Sequence, residues 1–405
     1  MTATPEPLVL DPYDYDFQED PYPTYARLRR EAPLYHNEEQ DFWALTRHAD
    51  IHRACRDDAT YSNRMGVSID PSAWHRDAHR VMSFLALDGQ DQLRLRSLVS
   101  KAFTPRRVRE LAPRVQELTD HYLDLALRDG ESFDWIGEVA GRLPMDVISE
   151  LMGVPEEDRA EVRRQADRVV HREGGVRDVP PAAMESSLWL VDYYGRMLEQ
   201  RRRRPTEDLT SALLAADLDG DRLLDREIIA FLFLMVVAGN ETTTKLLGNA
   251  LFHLAAEPAQ RDEVLADPGT ALVGPWIEET LRHDTSSQML ARHLLADVEV
   301  DGVVAPAGAK LLLVLGSANR DETVFTEPTR FDLHRPQEQL AKSLSFGGGR
   351  HFCLGAHLAR LESRIVLEEF VRRVRTFEVD EAGAARVHSI SVRGFARLPV
   401  TAELR

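Results

Sequence analysis

Apolar positions recur at helical spacing over most of the chain and alternate in only a few short stretches. Tyr22-Pro23-Thr24-Tyr25-Ala26-Arg27-Leu28 carries a proline just inside a helix start. Residues 88–125 predict helix, turn and helix, broken at Thr104-Pro105. Residues 144–203 predict helix, interrupted around Gly174, Gly175, Pro180 and Pro181. The stretch 226–257 predicts one long helix whose middle is apolar on nearly every side. Such a helix has no face to offer water, so it is expected to run through the centre of the molecule. Phe42–Leu45 and Leu311–Leu315 predict strands. Leu294, Ala296, Val298 and Val300 alternate and lead into Asp301-Gly302 and Val303-Val304, a hairpin pattern with a tight turn. A last helix is expected from Cys353 to Val374, and weak alternation over 376–403 predicts closing strands. Residues 64–86, with Gly66, Pro71 and the candidate caps Ser68 and Asp70, predict a long loop of the kind that often carries function. The fold class expected is mainly α with small β-sheets. With no repeat and no low-complexity linker, one domain over 1–405 is expected, with a short acidic lead over about 1–17.

Composition narrows the function. The chain has 405 residues, 43% hydrophobic and 29% charged, as in a soluble globular protein. A net charge of −17 argues against general nucleic-acid binding. Two cysteines, Cys55 and Cys353, exclude a disulfide scaffold and a cysteine-rich zinc site. The first twenty residues hold six acids and no Lys or Arg, unlike a secretory leader. The longest apolar run, Ile228 to Ala238, is shorter than the roughly 20 residues of a membrane span. A cytoplasmic protein without a membrane anchor is expected.

The densest chemical signal is Phe346-Gly347-Gly348-Gly349-Arg350-His351-Phe352-Cys353-Leu354-Gly355. Consecutive glycines admit backbone angles that turn main-chain N–H groups toward a ligand atom. A cysteine at a helix start has a lowered pKa, and a thiolate is what a metal needs. Gly355 leaves room for a flat, bulky group. A lone cysteine is most often inert and buried. A Cys-His nucleophile is a further reading, weakened because His351 lies on the same turn and no third orienting group is evident.

The pattern Phe-Gly-x-Gly-x-His-x-Cys-x-Gly resembles the haem-binding signature of the cytochrome P-450 family, through Phe346, Gly347, Gly349, His351, Cys353 and Gly355. The resemblance implies that Cys353 is the axial thiolate of haem b (iron protoporphyrin IX), lying between the long central helix and the cysteine loop and helix. In that helix, Ala238-Gly239-Asn240-Glu241-Thr242-Thr243-Thr244 is locally poor helix sequence. A kink with a threonine hydroxyl bonded back to the chain accounts for it. The resemblance adds a groove for O2 at Gly239 and a proton relay on Glu241 and Thr242. Glu279 and Arg282 resemble the family's buried structural pair, completed by a basic residue in Phe325–Phe331, with Arg335 as a further contributor. Asp88 to Arg96 resembles a propionate-binding segment in which Arg96 matches the arginine and Gln92 replaces a histidine. Arg292 and His351 complete the expected propionate donors.

The activity implied is monooxygenation of a small hydrophobic molecule with O2. No Gly-x-Gly-x-x-Gly follows a strand, so electrons are expected from a ferredoxin and its reductase. Arg106, Arg107, Arg109 and Arg350 are candidates for the docking face, and a monomer is expected. The run Arg201 to Arg204 reads as solvated. Phe84, Leu85, Val237, Ala238, Gln288, Met289 and Leu290 are the expected substrate wall, with Met65, Trp74 and Met82 extending it. Such a wall suits a medium or large substrate: a polyketide, macrolide or terpenoid in secondary metabolism, or a fatty acyl chain. Two alternatives use the same haem pocket. A peroxide-driven peroxygenase would not need Glu241 and Thr242, and a haem-thiolate sensor would be expected to carry a signalling domain.

Overall fold

The computed structural model describes residues 7–128, 132–267 and 269–405. The long apolar stretch is one helix, Asp225–Ala255, of 31 residues. It spans about 46 Å at the usual rise, and 19 of its residues are buried. By length and composition it could cross a membrane. Here its partners are protein: helices Leu143–Met152, Glu156–Val170, Pro181–Arg203 and Ala356–Arg373 all pack on it. Burial over most of its length is what its apolar pattern demanded, with one open stretch around Ala238, and it makes this helix the axis of the main hydrophobic core.

The other elements follow their local signals. The break at Thr104 separates Gly89–Ala102 from Pro105–Glu110, and the Thr104 hydroxyl caps the second helix by accepting from the Arg107 N–H. Helix Ala112–Ala126 follows. Residues 171–180 form the interruption ahead of Pro181–Arg203. Strand Phe42–Leu45 stands as expected and joins a five-stranded sheet. It pairs antiparallel with Leu34–Asn37 and parallel with Lys310–Val314, which pairs antiparallel with Met289–Leu294. The hairpin Val298–Val300 to Val303–Ala305 turns through Asp301 and Gly302 at φ 52° and 82°, the left-handed pair that a tight two-residue turn requires. Val374–Val379, Pro399–Leu404 and Ser132–Asp134 form a second sheet directly after the last helix.

Four expectations change. The last helix starts at Ala356, not Cys353, because Gly349–His351 tighten into a 3-10 turn and Gly355 is the N-cap. Ser68 and Asp70 cap no helix. Asp70 is fully buried, so its charge takes a cation instead: Arg172 sits at 2.6 Å, and Tyr13 and Ser68 donate to the same carboxylate. The acidic lead, from residue 7 onward, is packed rather than trailing, with Leu10 wholly buried. Of the arginine run, Arg202, Arg203 and Arg204 are exposed, Arg202 in a surface pair with Asp225, and only Arg201 is drawn in, paired with Asp208.

A buried carboxylate ties the second half together. Glu279 and Arg282, both 0% exposed, form a bidentate pair at 2.7 and 2.8 Å. Arg335 adds bonds to Glu279 at 3.0 and 3.1 Å. Arg330, the basic residue within Phe325–Phe331, contributes its carbonyl to both guanidiniums, while its side chain pairs with Glu327 at the surface. Glu279→Ala is expected to leave two buried guanidiniums uncompensated and to cost about 3–5 kcal/mol. Urea unfolding checks this; a loss of about 1 kcal/mol or less, the range of a surface pair, would contradict it.

Candidate active site

The cysteine loop closes on itself. The Gly347 N–H donates to the Leu344 carbonyl at 2.8 Å and the Cys353 N–H to the Phe346 carbonyl at 3.0 Å. Gly347 and Gly349 sit at φ 68° and 60°. A Cβ on Gly349 would also fall 2.2 Å from the Cys55 carbonyl oxygen, so both the backbone and the space require glycine. Phe346 is half-buried beneath the Arg360 guanidinium, 4.5 Å from its ring centroid, and Glu278 holds Arg360 at 2.5 Å.

Cys353 is exposed, yet burial among the surrounding protein pushes its thiol pKa up. The two facts together describe a sulfur at the floor of a recess. Hydrogen bonds from the Gly355 and Ala356 amides, and the Arg96 charge, act in the opposite direction and favour the thiolate. The amides that serve the sulfur therefore lie after it, not in Gly347–Gly349 as expected; the glycines shape the loop. A Cβ on Gly355 would approach the sulfur to 3.9 Å, an ordinary contact.

Around the recess, positive charge lacks a partner. Arg292 is 4% exposed, and its one hydrogen bond among the described residues goes to the carbonyl of neighbouring Ala291. Arg96 donates from Nη2 to the Phe352 carbonyl at 2.7 Å, but its buried Nη1 has no partner. His351 Nδ1 is buried and unpartnered too. Both arginines bear on the imidazole: burial, then Arg292 and Arg96, push His351 down to about 3. Burial likewise lowers both arginines. Unpaired buried cations are costly, so this cradle calls for a group with more than one negative charge. Among the described residues no three His, Cys, Asp or Glu converge to hold a metal ion. A single thiolate facing a dianion-seeking cradle fits haem b, whose metal comes in its own ring and whose two propionates need these donors. Gln92 is fully buried and donates to the Arg350 carbonyl at 2.9 Å, so its amide ties the cysteine loop to helix Gly89–Ala102.

The central helix presents two sides. Ala238 is exposed in the middle of this buried helix, and Val237, Gly239 and Thr242 are half-buried. Ala238 and Thr242 are one turn apart and share a face. Thr242 Oγ1 donates to the Ala238 carbonyl at 2.8 Å, the back-bonding anticipated for this stretch. A Cβ on Gly239 would meet Ile148 at an ordinary 3.5 Å. Thr243 is buried, and the Thr244 hydroxyl donates to the Ala140 carbonyl. Glu241 turns away, about 100° around the helix from Thr242. It is 6% exposed, pairs with Lys245 at 3.1 Å and shares a cavity wall with Asp167 of helix Glu156–Val170. Asp167 was not among the expected site residues; it is far away in sequence and nothing local marks it.

The expected substrate wall divides by strand and helix phase. Leu85, Val237 and Leu290 are half-buried and Ala238 is exposed. Phe84 is buried, 6.1 Å from the Phe231 ring and 5.5 Å from the Arg96 guanidinium. Met289 is buried in a core cluster with Leu10 and Tyr25. Gln288 is held by Tyr22, Tyr25 and the Thr285 carbonyl.

Comparison with known proteins agrees with this geometry. The family model described as Cytochrome P450 matches residues 190–404. The chain is similar to "Putative cytochrome P450 123" of Mycobacterium bovis, at 57% identity over 98% of each chain. It is 36% identical to the "Vitamin D(3) 25-hydroxylase" of Pseudonocardia autotrophica, over 96% of each. Among solved structures it resembles cytochrome P450 CYP109Q5 from Chondromyces apiculatus, with a TM-score of 0.87 and 35% identity over 98% of each chain. It also resembles P450BioI in complex with an acyl carrier protein ligated to hexadec-9Z-enoic acid, with a TM-score of 0.85 and 30% identity over 96% of this chain and 99% of that one. The protein therefore belongs to the cytochrome P450 family, a haem-thiolate monooxygenase whose cofactor is haem b.

Proposed function

We propose that the protein inserts one oxygen atom from O2 into a medium-to-large hydrophobic molecule, by hydroxylation or epoxidation, as a tailoring step on a polyketide, macrolide or terpenoid in the cytoplasm. The observation that carries this reading is the open face of the central helix: apolar Val237 and Ala238 with one hydroxyl, Thr242, in an otherwise buried element. An apolar surface holds a hydrophobic substrate, and the lone hydroxyl can handle a proton there. The vitamin D3 hydroxylase and the fatty-acyl complex of P450BioI support a large apolar substrate.

Haem b, when bound, supplies the reductive activation of O2. The chain's own residues do the rest. Cys353 provides the thiolate, with Gly355 and Ala356 amides aimed at its sulfur. Arg96, Arg292 and His351 hold the two propionates, while Phe346, Gly347 and Gly355 shape the cradle. Thr242 and Glu241 pass protons from positions about 100° apart on the helix, with Gly239 beside Thr242 leaving a groove free of a side chain. Glu279 and Arg282 hold the scaffold. The whole of 1–405 serves as one such domain and acts as a monomer. Electrons come from a ferredoxin and its reductase. Helix Pro105–Glu110 packs against the cysteine helix and exposes Arg106, Arg107 and Arg109, with Arg106 paired to Glu110, while Arg350 is exposed on the cysteine loop and paired to Asp58. Such a surface suits an acidic partner despite the net charge of −17.

Titrating the ferric holoenzyme with macrolides, terpenoids and long-chain fatty acids is expected to give a saturable low-to-high-spin Soret shift with one of the first two classes. A shift with fatty acids alone would replace tailoring by fatty-acid hydroxylation. Turnover of that ligand under 18O2, with ferredoxin and reductase, is expected to place one labelled atom in the product; unlabelled product, or equal turnover with peroxide alone, would overturn the monooxygenase reading. Arg96→Ala and Arg292→Ala each remove charge-assisted bonds of about 1.5–3 kcal/mol. Each is expected to release haem to a scavenger roughly ten- to hundredfold faster, and unchanged release would place the propionates elsewhere.

A further inference from the structure

Behind the central helix, away from Ala238 and Thr242, lies a partly open cavity of about 380 Å³. Asp167 and Glu241 share its wall, one from each of two packed helices, and their carboxyls bear directly on each other. Ionised carboxylates only accept, so two such neighbours can bond only when a proton lies between them. Their surroundings suit one negative charge across the pair. Lys245 Nζ lies 3.1 Å from Glu241, Arg163 Nε lies 3.8 Å from Asp167, and the Asn240 amide donates to Asp167 at 3.2 Å. Arg164, Arg168 and His171 line the cavity from the helix of Asp167 and the loop after it, and His388 from the C-terminal segment. Asp167 keeps 46% of its side-chain surface, while protein crowds its remaining sides, as befits a group in a cavity wall.

We propose that Asp167 is the outer member of a two-carboxyl proton relay: it takes protons from cavity water and passes them to Glu241. The proposal rests on the role given to Glu241 above. Asp167 touches neither substrate nor cofactor, so it is a positioning residue that acts through Glu241. In the step, a hydronium ion in the cavity protonates the outer Asp167 oxygen. The proton shared between the carboxyls moves fully to Glu241, which turns and gives that same proton inward, and the new proton on Asp167 takes its place between the two. One proton crosses, and the charge on the pair is unchanged. Burial, then the Glu241 charge, raises the Asp167 carboxyl to about 7. At neutral pH Asp167 is therefore about half protonated and can both take and give a proton. Below that pH the shared proton is present. Above it, two carboxylates face each other and the relay is empty, so proton-limited turnover falls as pH rises.

Infrared spectra of the haem-loaded protein between about pH 5 and 9 are expected to show a protonated-carboxyl band lost near neutral pH, absent in Asp167→Asn. Asp167→Glu is expected to restore it. With a surrogate ferredoxin and its reductase, substrate-free NADPH oxidation is expected to fall with a limb near neutral pH. Asp167→Asn is expected to slow it about tenfold or more at low pH and to abolish the limb. Asp167→Glu is expected to recover both, which loss of structure alone would not produce. A band or limb unmoved in Asp167→Asn overturns the relay. If Glu241→Gln alone slows oxidation, only the outer residue is wrong. If Glu241→Gln leaves oxidation unchanged, the role of Glu241 itself falls, and this inference with it.

Discussion

The carboxylate of Glu279 is the point on which the cysteine half of the molecule depends. Wholly buried, it accepts from Arg282, Arg335 and the Asp332 N–H. Those guanidiniums spend their remaining N–H groups on carbonyls of Asn319, Thr326, Glu327, Pro328 and Arg330. One buried charge thus orders a segment that has no regular structure of its own. From Asn319 the order passes on: its side chain accepts from the Leu344 N–H at 2.7 Å and donates to Ser345, whose hydroxyl reaches back to the Leu281 carbonyl. Phe346 and the cysteine loop follow directly. The sulfur is placed by a chain of satisfied buried bonds that begins at a carboxylate more than seventy residues earlier.

Against that saturated scaffold, the cradle above the cysteine stands out because it is unsatisfied. Arg96 and Arg292 both raise the cost of charging His351, burial lowers each arginine, and no ion pair forms at either arginine among the described residues. Gln92 anchors Arg350, and Arg96 anchors Phe352, so the same helix that carries a donor also positions the loop it faces. A cofactor that supplies the missing negative charge stabilises the folded chain as it binds, which couples cofactor loading to stability.

Much of this was legible along the chain, for physical reasons that differ by element. The central helix showed itself through apolar residues on all sides, a pattern that only full burial supports. The hairpin showed itself at Asp301-Gly302, where the backbone demand is local. The cysteine loop was legible because glycine spacing encodes φ angles and close approach to Cys55. What stayed hidden was set by distance and by phase. Asp70 looked like a cap, yet it answers a cation, Arg172, brought in from the far side of the fold. Gln288 and Met289 looked like pocket wall, but strand alternation turns Met289 into the core and leaves Leu290 half-buried. Asp167 carries no local signal, because its character comes from Glu241 on another helix.

The phase of the central helix also separates two functions that adjacent residues seemed to share. Glu241 and Thr242 are neighbours in sequence, but the step of about 100° between them directs the acid to a polar cavity and the alcohol to the apolar face. The helix backbone lies between the two, polar on one side and apolar on the other. The loops over 64–78 and 171–180 are tied to each other by Arg172 to Asp70 and by Ser72 to Asp178, and the first of these pairs is buried. The two carboxyls depend on a different contact, since Asp167 and Glu241 sit in helices that pack on each other.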